Sequence, residues 1–450
     1  MFKRDALIDL QKWASSKYRK PLVLRGARQV GKTTVVNEFG KEFENYLYVN
    51  LEHSEASKLF DSSLPLPTLM DMFHVYCNKP KKKGRTLLFI DEIQNSPKAV
   101  ARLRYFYEDL PEIFVIAAGS LLESLIDVHI SFPVGRVEYM AIRPCSFSEF
   151  LEAVGETALR NLIRQVELPD AFHDRVIALF NIYTLIGGMP EVVRNYASDG
   201  DVVSLDIVYE TILEGYRDDV EKYAKGGVLP DVIRYILTEG WAFAGQSITL
   251  GSFAGSPYKA REVGEAFRTL TKTLLLELVY PTVSASMPLV SDLKRSPKLL
   301  WLDTGLVNYA AGLQKEIFGA SDITDAWRGM IAEQVVGQEL LALSNRVSQR
   351  RHFWVRGKAG SSAEVDFVYL YDSKIIPVEV KSGHNAKLRS IHSFMDEAPH
   401  DWAVRIWSGA YSVDEVKTSK GKSFHLINIP FYYVGSLDTI LSHHIKSPVN

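Results

Sequence analysis

The 450 residues correspond to about three domains of usual size, enough chain for several cores. Hydrophobic residues make up 46% and charged residues 24%, which excludes a largely disordered or fibrous chain. A count of 52 Lys and Arg against 54 Asp and Glu leaves a net charge of −2, so any nucleic-acid surface has to be local.

Two cysteines, Cys77 and Cys145, form neither a disulfide framework nor a clustered thiolate site, and their paucity fits a reducing compartment. The N-terminus carries Lys3, Arg4, Asp5 and Asp9 and does not read as a signal peptide. No run approaches the roughly 18 uncharged apolar residues that span a bilayer, so a cytoplasmic chain without a membrane partner is expected.

From residue 1 to 150, apolar runs at Leu22–Leu24, Tyr46–Leu51, Leu87–Ile90 and Ile113–Ala118 alternate with helical patterns at Asp5–Ala14, Thr33–Phe39 and Lys98–Tyr107. This alternation predicts a parallel sheet covered on both faces, the core of an α/β fold. Residues 151–228 read as a helical lid, interrupted at Gly187-Gly188-Met189-Pro190. In 229–316, helices precede β-like Leu274–Tyr280 and Leu299–Leu302, the order of a winged-helix module. From 317 to 450, a helix at Trp327–Leu343 precedes strands at His352–Val355, Glu364–Tyr371 and Lys374–Val380.

Gly26, Ala27, Arg28, Gln29, Val30, Gly31, Lys32, Thr33 and Thr34 spell G-x-x-x-x-G-K-[ST] between a strand and a helix. In that setting backbone N–H groups wrap the phosphates of ATP, Lys32 reaches the terminal phosphates and the Thr33 hydroxyl ligates Mg²⁺. Downstream, Leu87-Leu88-Phe89-Ile90-Asp91-Glu92 ends an apolar strand in two carboxylates. Asp91 is expected in the Mg²⁺ shell, and Glu92 is expected to deprotonate the attacking water. Ser120, after the next strand, is a candidate γ-phosphate sensor, or a helix N-cap, or both. Arg136 is the candidate arginine finger and Arg143 the second choice; the bland reading is a surface arginine. A finger given to a neighbouring subunit would imply a homo-oligomer.

Together with Pro144–Phe150, Gly187–Glu191, Tyr216–Val220 and Ser296–Leu306, these motifs resemble the AAA-type P-loop ATPases of bacteria and archaea that share a C-terminal domain of unknown function. The resemblance runs over nearly the whole chain and implies an ATPase architecture.

Asp366 lies in one strand, and Glu379 and Lys381 share a face of the next. A hairpin near Tyr371–Lys374 would bring the three together, and Glu333 on the preceding helix could complete the cluster. Two carboxylates beside a lysine suit a second divalent cation and attack on phosphorus. Glu333, Asp366, Glu379 and Lys381 resemble the motif of the PD-(D/E)-x-K nuclease superfamily, which implies a restriction-endonuclease-like C-terminal domain. Arg346, Arg350, Arg351, Arg356, Lys358, Lys387 and Arg389 could meet a DNA backbone, as could Lys259, Arg261 and Arg268 from the winged-helix region. The expectation is an ATP-binding, Mg²⁺-dependent ATPase that couples hydrolysis to a nuclease-like, DNA-associated domain. The alternative is a nucleotide-switched protein-interaction module whose nuclease-like fold is catalytically inert.

Overall fold

The computed structural model describes residues 2–61, 64–119, 132–220, 224, 226–313, 329–357, 363–381 and 388–445. Five strands, β1 (Leu22–Arg25), β2 (Asn45–Asn50), β3 (Thr86–Asp91), β4 (Phe114–Ala118) and β5 (Glu138–Ala141), make an all-parallel sheet in the order β2-β3-β4-β1-β5. The first four coincide with the apolar runs of the sequence. The fifth is short and carries Glu138 and an exposed Tyr139; it forms through its register with β1, Leu22 to Glu138 through Arg25 to Ala141.

The sheet is buried on both faces, because successive side chains point to opposite sides. Leu22, Leu24, Phe89 and Ile116 join a core that continues into the rest of the chain. Val23, Leu88, Ile90 and Val115 form a separate core on the other side. Helices α1 (Ala6–Ser15) and α2 (Lys32–Phe39) contribute to the first. The second is closed by α3 (Ser54–Asp61), α4 (Leu66–Tyr76) and α5 (Pro97–Asp109).

Residues 147–218 are helical: α6 (Phe147–Ala153), α7 (Thr157–Gln165), α8 (His173–Ile186), α9 (Pro190–Asp199) and α10 (Asp206–Asp218). A reciprocal Ser146–Glu149 capping box starts α6. Two further helices, α11 (Leu229–Glu239) and α12 (Ala260–Lys272), precede three short strands: β6 (Leu276–Val279), β7 (Pro281–Thr282) and β8 (Lys298–Trp301). Strands β6 and β8 pair antiparallel. Strand β7 departs and pairs in parallel with β9 (His352–Val355), so the expected division at residue 316 is bridged by a shared sheet.

Between β8 and β9 come α13 (Thr304–Ala310) and α14 (Met330–Ala342). After β9 follow β10 (Glu364–Tyr371), β11 (Lys374–Lys381), α15 (Arg389–Met395), β12 (Trp402–Trp407), β13 (Ser412–Lys417), β14 (Ser423–Pro430) and α16 (Leu437–His444). The mixed seven-stranded sheet runs β13-β14-β12-β11-β10-β9-β7. Asp372 and Ser373 take left-handed backbone in the tight β10–β11 turn, where Tyr371 faces Lys374.

Helix α14 is buried along most of its length although it carries Glu333, Gln334, Gln338 and Glu339. Buried polar groups persist only when partnered, and these partners tie the molecule together. Gln334 donates to the Trp301 carbonyl at 2.8 Å and accepts from the Trp301 N–H at 3.0 Å. Gln338 accepts from the Thr304 N–H at 2.8 Å. Glu339 Oε1 accepts from the Tyr183 hydroxyl at 2.6 Å and the Phe147 N–H at 3.0 Å.

Candidate nucleotide site and a second carboxylate cluster

The glycine-rich loop leaves β1 and enters α2 through Gly31, whose φ of 89° is open to glycine but strained for other residues. Lys32 is buried, and its Nζ donates to the carbonyls of Gly26 and Ala27, both at 2.8 Å. Burial pushes its ammonium down to about 8, against the opposing pull of Glu92 and Asp91.

Strand β4 separates β1 from β3, so the ends of β1 and β3 meet across it. Thr33 Oγ1 donates to Asp91 Oδ2 at 2.7 Å, and the Tyr48 hydroxyl reaches the same oxygen at 3.3 Å. Asp91 Oδ1 accepts from the Glu92 N–H at 3.1 Å. Glu92 itself adopts left-handed backbone, φ 51°, a strained state for a non-glycine residue and one common at functional sites. Its carboxylate accepts from Gln94 Nε2. Burial raises both Asp91 and Glu92 above the ordinary carboxylate range.

A cavity of about 470 Å³, within the usual size of a small-molecule site, opens onto Lys32, Thr33 and Glu92. Arg28, Gln29, Gly31, Lys32, Thr33, Thr34 and Glu92 line it together with Phe2, Arg4, Leu7, Pro190, Glu191 and Arg194. The last six were not foreseen as site residues. Arg4 is the most deeply engaged: Nε donates to Glu149 Oε1 at 2.8 Å, Nη1 to the Val30 carbonyl at 3.2 Å and Nη2 to the Arg143 carbonyl at 2.7 Å. The end of α10 and the residue after it grip the loop from the other side. Arg28 pairs with buried Asp219 at 2.9 Å, and the Tyr216 hydroxyl donates to the Arg28 carbonyl at 3.0 Å.

Pro190 opens α9 into the cavity just after Gly187-Gly188. A Cβ on Gly188 would lie 2.0 Å from the Cys145 carbonyl oxygen, so only glycine allows this approach. Asp303 Oδ2 accepts from the Gly188 N–H at 2.6 Å. Three separate sequence motifs thus meet beneath the loop.

Ser120 lies outside the described residues. Arg136 is half-buried, pairs with Glu108 at 2.8 Å and does not line the cavity. Arg143 is half-buried and donates to the carbonyls of Ser344 at 3.3 Å and Arg346 at 3.0 Å, away from this lining.

Residues 18–151 match the family model described as AAA domain. The N-terminal third is thus similar to AAA-type P-loop domains. Beyond the AAA domain, residues 177–317 and 328–432 match two families, each described as a domain of unknown function (DUF8612 and DUF4143). No curated protein matches the chain. Solved structures similar to it include the Aeropyrum pernix ORC1 protein in complex with DNA, at 14% identity and a TM-score of 0.30 over 70% of this chain and 93% of that one. C. elegans PCH-2 matches at 14% identity and a TM-score of 0.23 over 42% of this chain and 57% of that one. Unliganded Pif1 from Bacteroides sp. matches at 16% and 0.20 over 39% and 48%.

The β10–β11 hairpin brings Asp366 beside Glu379 and Lys381. Asp366 Oδ2 accepts from the Val380 N–H at 2.8 Å, and Lys381 pairs with Glu379 at 2.6 Å. Among the described residues, buried Glu379 Oε2 has no hydrogen-bond partner. Glu333 arrives from α14, but its partner was not foreseen. Lys298 of β8, only 3% exposed, holds its Nζ 2.7 Å from Glu333 Oε2, 2.8 Å from Glu364 Oε1 and 3.7 Å from Asp366 Oδ1. Burial pushes Glu333 up to about 8 and Glu379 up to about 7, with Asp366 adding to both. Among the described residues, no group of three or more His, Cys, Asp or Glu has the arrangement of a metal site. The oxygens around Glu333 already face an ammonium, so the set as it stands does not fit the second divalent cation expected from sequence.

The basic stretch is only partly available to a phosphate backbone. Arg351 is buried and donates to Glu277 Oε2 through Nε at 3.0 Å and Nη2 at 2.9 Å, which removes it from any surface. Arg356 pairs with Glu397 at 3.2 Å. Arg346, Arg350 and Arg389 are exposed, as are Lys259, Arg261 and Arg268 around α12; Lys358 and Lys387 lie outside the described residues. No helix among the described residues is long and apolar enough to cross a membrane.

Proposed function

We propose that the AAA domain binds ATP with Mg²⁺ and hydrolyses it, and that the cycle changes how the helical lid grips the glycine-rich loop. The observation that carries this reading is the convergence of Lys32, Thr33 and Glu92 on one cavity of suitable size, with Asp91 hydrogen-bonded to Thr33 behind it. Lys32 would exchange the Gly26 and Ala27 carbonyls for the terminal phosphates, and backbone amides at the start of α2 would face the same anion. Thr33 and Asp91 would hold Mg²⁺, which neutralises charge on the phosphate oxygens. Glu92 accepts the proton of the attacking water; its raised affinity for protons suits a base, and Gln94 orients it.

Two substitutions separate the roles. Lys32→Ala should abolish both ATP binding and turnover. Glu92→Gln should keep binding and lower turnover by about 100-fold or more. Full turnover in Lys32→Ala overturns the assignment of the site; full turnover in Glu92→Gln overturns the assignment of the base.

The position of Arg136 away from the lining of its own cavity supports a finger donated to a neighbouring subunit, which light scattering with and without a non-hydrolysable ATP analogue tests. For the remaining chain, α11 and α12 followed by the β6–β8 pair support a winged-helix reading of 229–316. The β10–β11 hairpin with Asp366, Glu379 and Lys381 supports a nuclease-like ancestry for 317–450. The ammonium of Lys298 among those carboxylates favours an inert fold that serves as an interaction module over one that cleaves DNA.

A further inference from the structure

We infer that Lys298 is a tethered counter-cation that occupies the place of a divalent metal ion in the C-terminal carboxylate cluster and closes that site to divalent cations while β8 is seated. The inference is independent of ATP hydrolysis, because it concerns a site built from other residues.

The geometry carries it. One point, Lys298 Nζ, lies 2.7, 2.8 and 3.7 Å from oxygens of Glu333, Glu364 and Asp366, which come from α14 and β10. An ammonium is a compact point charge with three donors, so of the basic side chains it is the one that mimics a bound ion. The Phe353 ring lies 5.0 Å from the same nitrogen and closes one side with its negative face. With Lys381 on Glu379, four carboxyl groups share two ammonium groups.

The tether is rigid. Three residues beyond Lys298, Gln334 holds both backbone groups of Trp301, and the Trp301 ring stacks on Trp241 at 3.7 Å. Strand β8 is further held by its register with β6. Lys298 belongs to the segment matching one family and the carboxylates to the segment matching the next, so the ion mimic also joins the two.

Mn²⁺ binding to nucleotide-free, full-length protein tests this by electron paramagnetic resonance. All proteins carry Asp91→Asn, so that the P-loop contributes no site. The parent is expected to bind no Mn²⁺ at the cluster, and adding Asp366→Asn with Glu379→Gln should change nothing. Lys298→Ala should gain one site at least about tenfold tighter than any in the parent. That site should vanish when Glu333→Gln and Asp366→Asn are added. Parent binding that disappears with Asp366→Asn and Glu379→Gln overturns the inference, and so does a folded Lys298→Ala protein with no gain. If circular dichroism finds the alanine variant unfolded, Lys298→Gln replaces it with a neutral side chain of similar length. Parent binding lost on those carboxylate substitutions overturns the inference even if neither lysine variant folds.

Discussion

Replacing Arg4 by methionine should destabilise the AAA domain by about 3 kcal/mol. The side chain is 9% exposed, and its guanidinium makes bonds of 2.8, 3.2 and 2.7 Å to Glu149, Val30 and Arg143. Removing one member of a buried ion pair typically costs about 3–5 kcal/mol, because the survivor is left charged and away from water. Glu149 is 5% exposed but keeps two backbone donors, Asp5 N–H at 2.6 Å and Ser146 N–H at 3.1 Å, which holds the loss at the lower end. Methionine fills much of the vacated volume, so the cavity contribution is small. Urea unfolding of wild type, Arg4→Met, Glu149→Gln and the double variant measures both the loss and the coupling. The double variant should lose less than the two single losses combined, by about 1–2 kcal/mol. A loss below about 1 kcal/mol in Arg4→Met, with additive singles, would refute the argument that this pair braces the loop.

Burial pushes Glu339 up to about 7 from an ordinary 4.5, so through that window the folded chain holds a proton that the unfolded chain has released. Stability from this group therefore falls as pH rises from 4.5 to about 7. Glu339→Gln keeps an acceptor for the Tyr183 hydroxyl and the Phe147 N–H; it should gain on wild type between pH 5 and pH 8 by up to about 3 kcal/mol, and a difference independent of pH in urea unfolding contradicts this. Gly188→Ala, which drives a methyl group to 2.0 Å from the Cys145 oxygen, should cost about 4 kcal/mol or more. Soluble protein with a near-normal urea midpoint would show that the backbone yields there.

The parts legible in sequence were those fixed by local pattern. Runs of Val, Leu, Ile and Phe marked β1 to β4, and strand–loop–helix spacing marked the P-loop. Strand β5 escaped because it is short and opens with Glu138 and Tyr139, and its place in the sheet comes from pairing with β1. Helices α3 and α4 went unnoticed in the sequence, although alternating β and α leaves room for them. Arg4 reads as an ordinary polar residue near the N-terminus; its partners lie 26 to 145 positions away. Lys298 reads as a solvated strand end for the same reason, its carboxylates lying at least 35 positions downstream. A signal for Glu364 did exist: it stands two residues before Asp366 and so faces the same side of β10. Arg351 shows the opposite error, since clustered arginines suggest an anion surface, yet this one is drawn inward by Glu277.

The excursion of β7 has a practical consequence. A protein fragment beginning at residue 317 would lack the two-residue strand that caps β9 and would present bare amides and carbonyls to solvent. Unshielded margins of this kind recruit strands from other molecules, and such a fragment is liable to clump. Its upstream counterpart would carry a dangling Pro281-Thr282 with no edge to join. Biochemistry on this chain is best done with the two halves left attached.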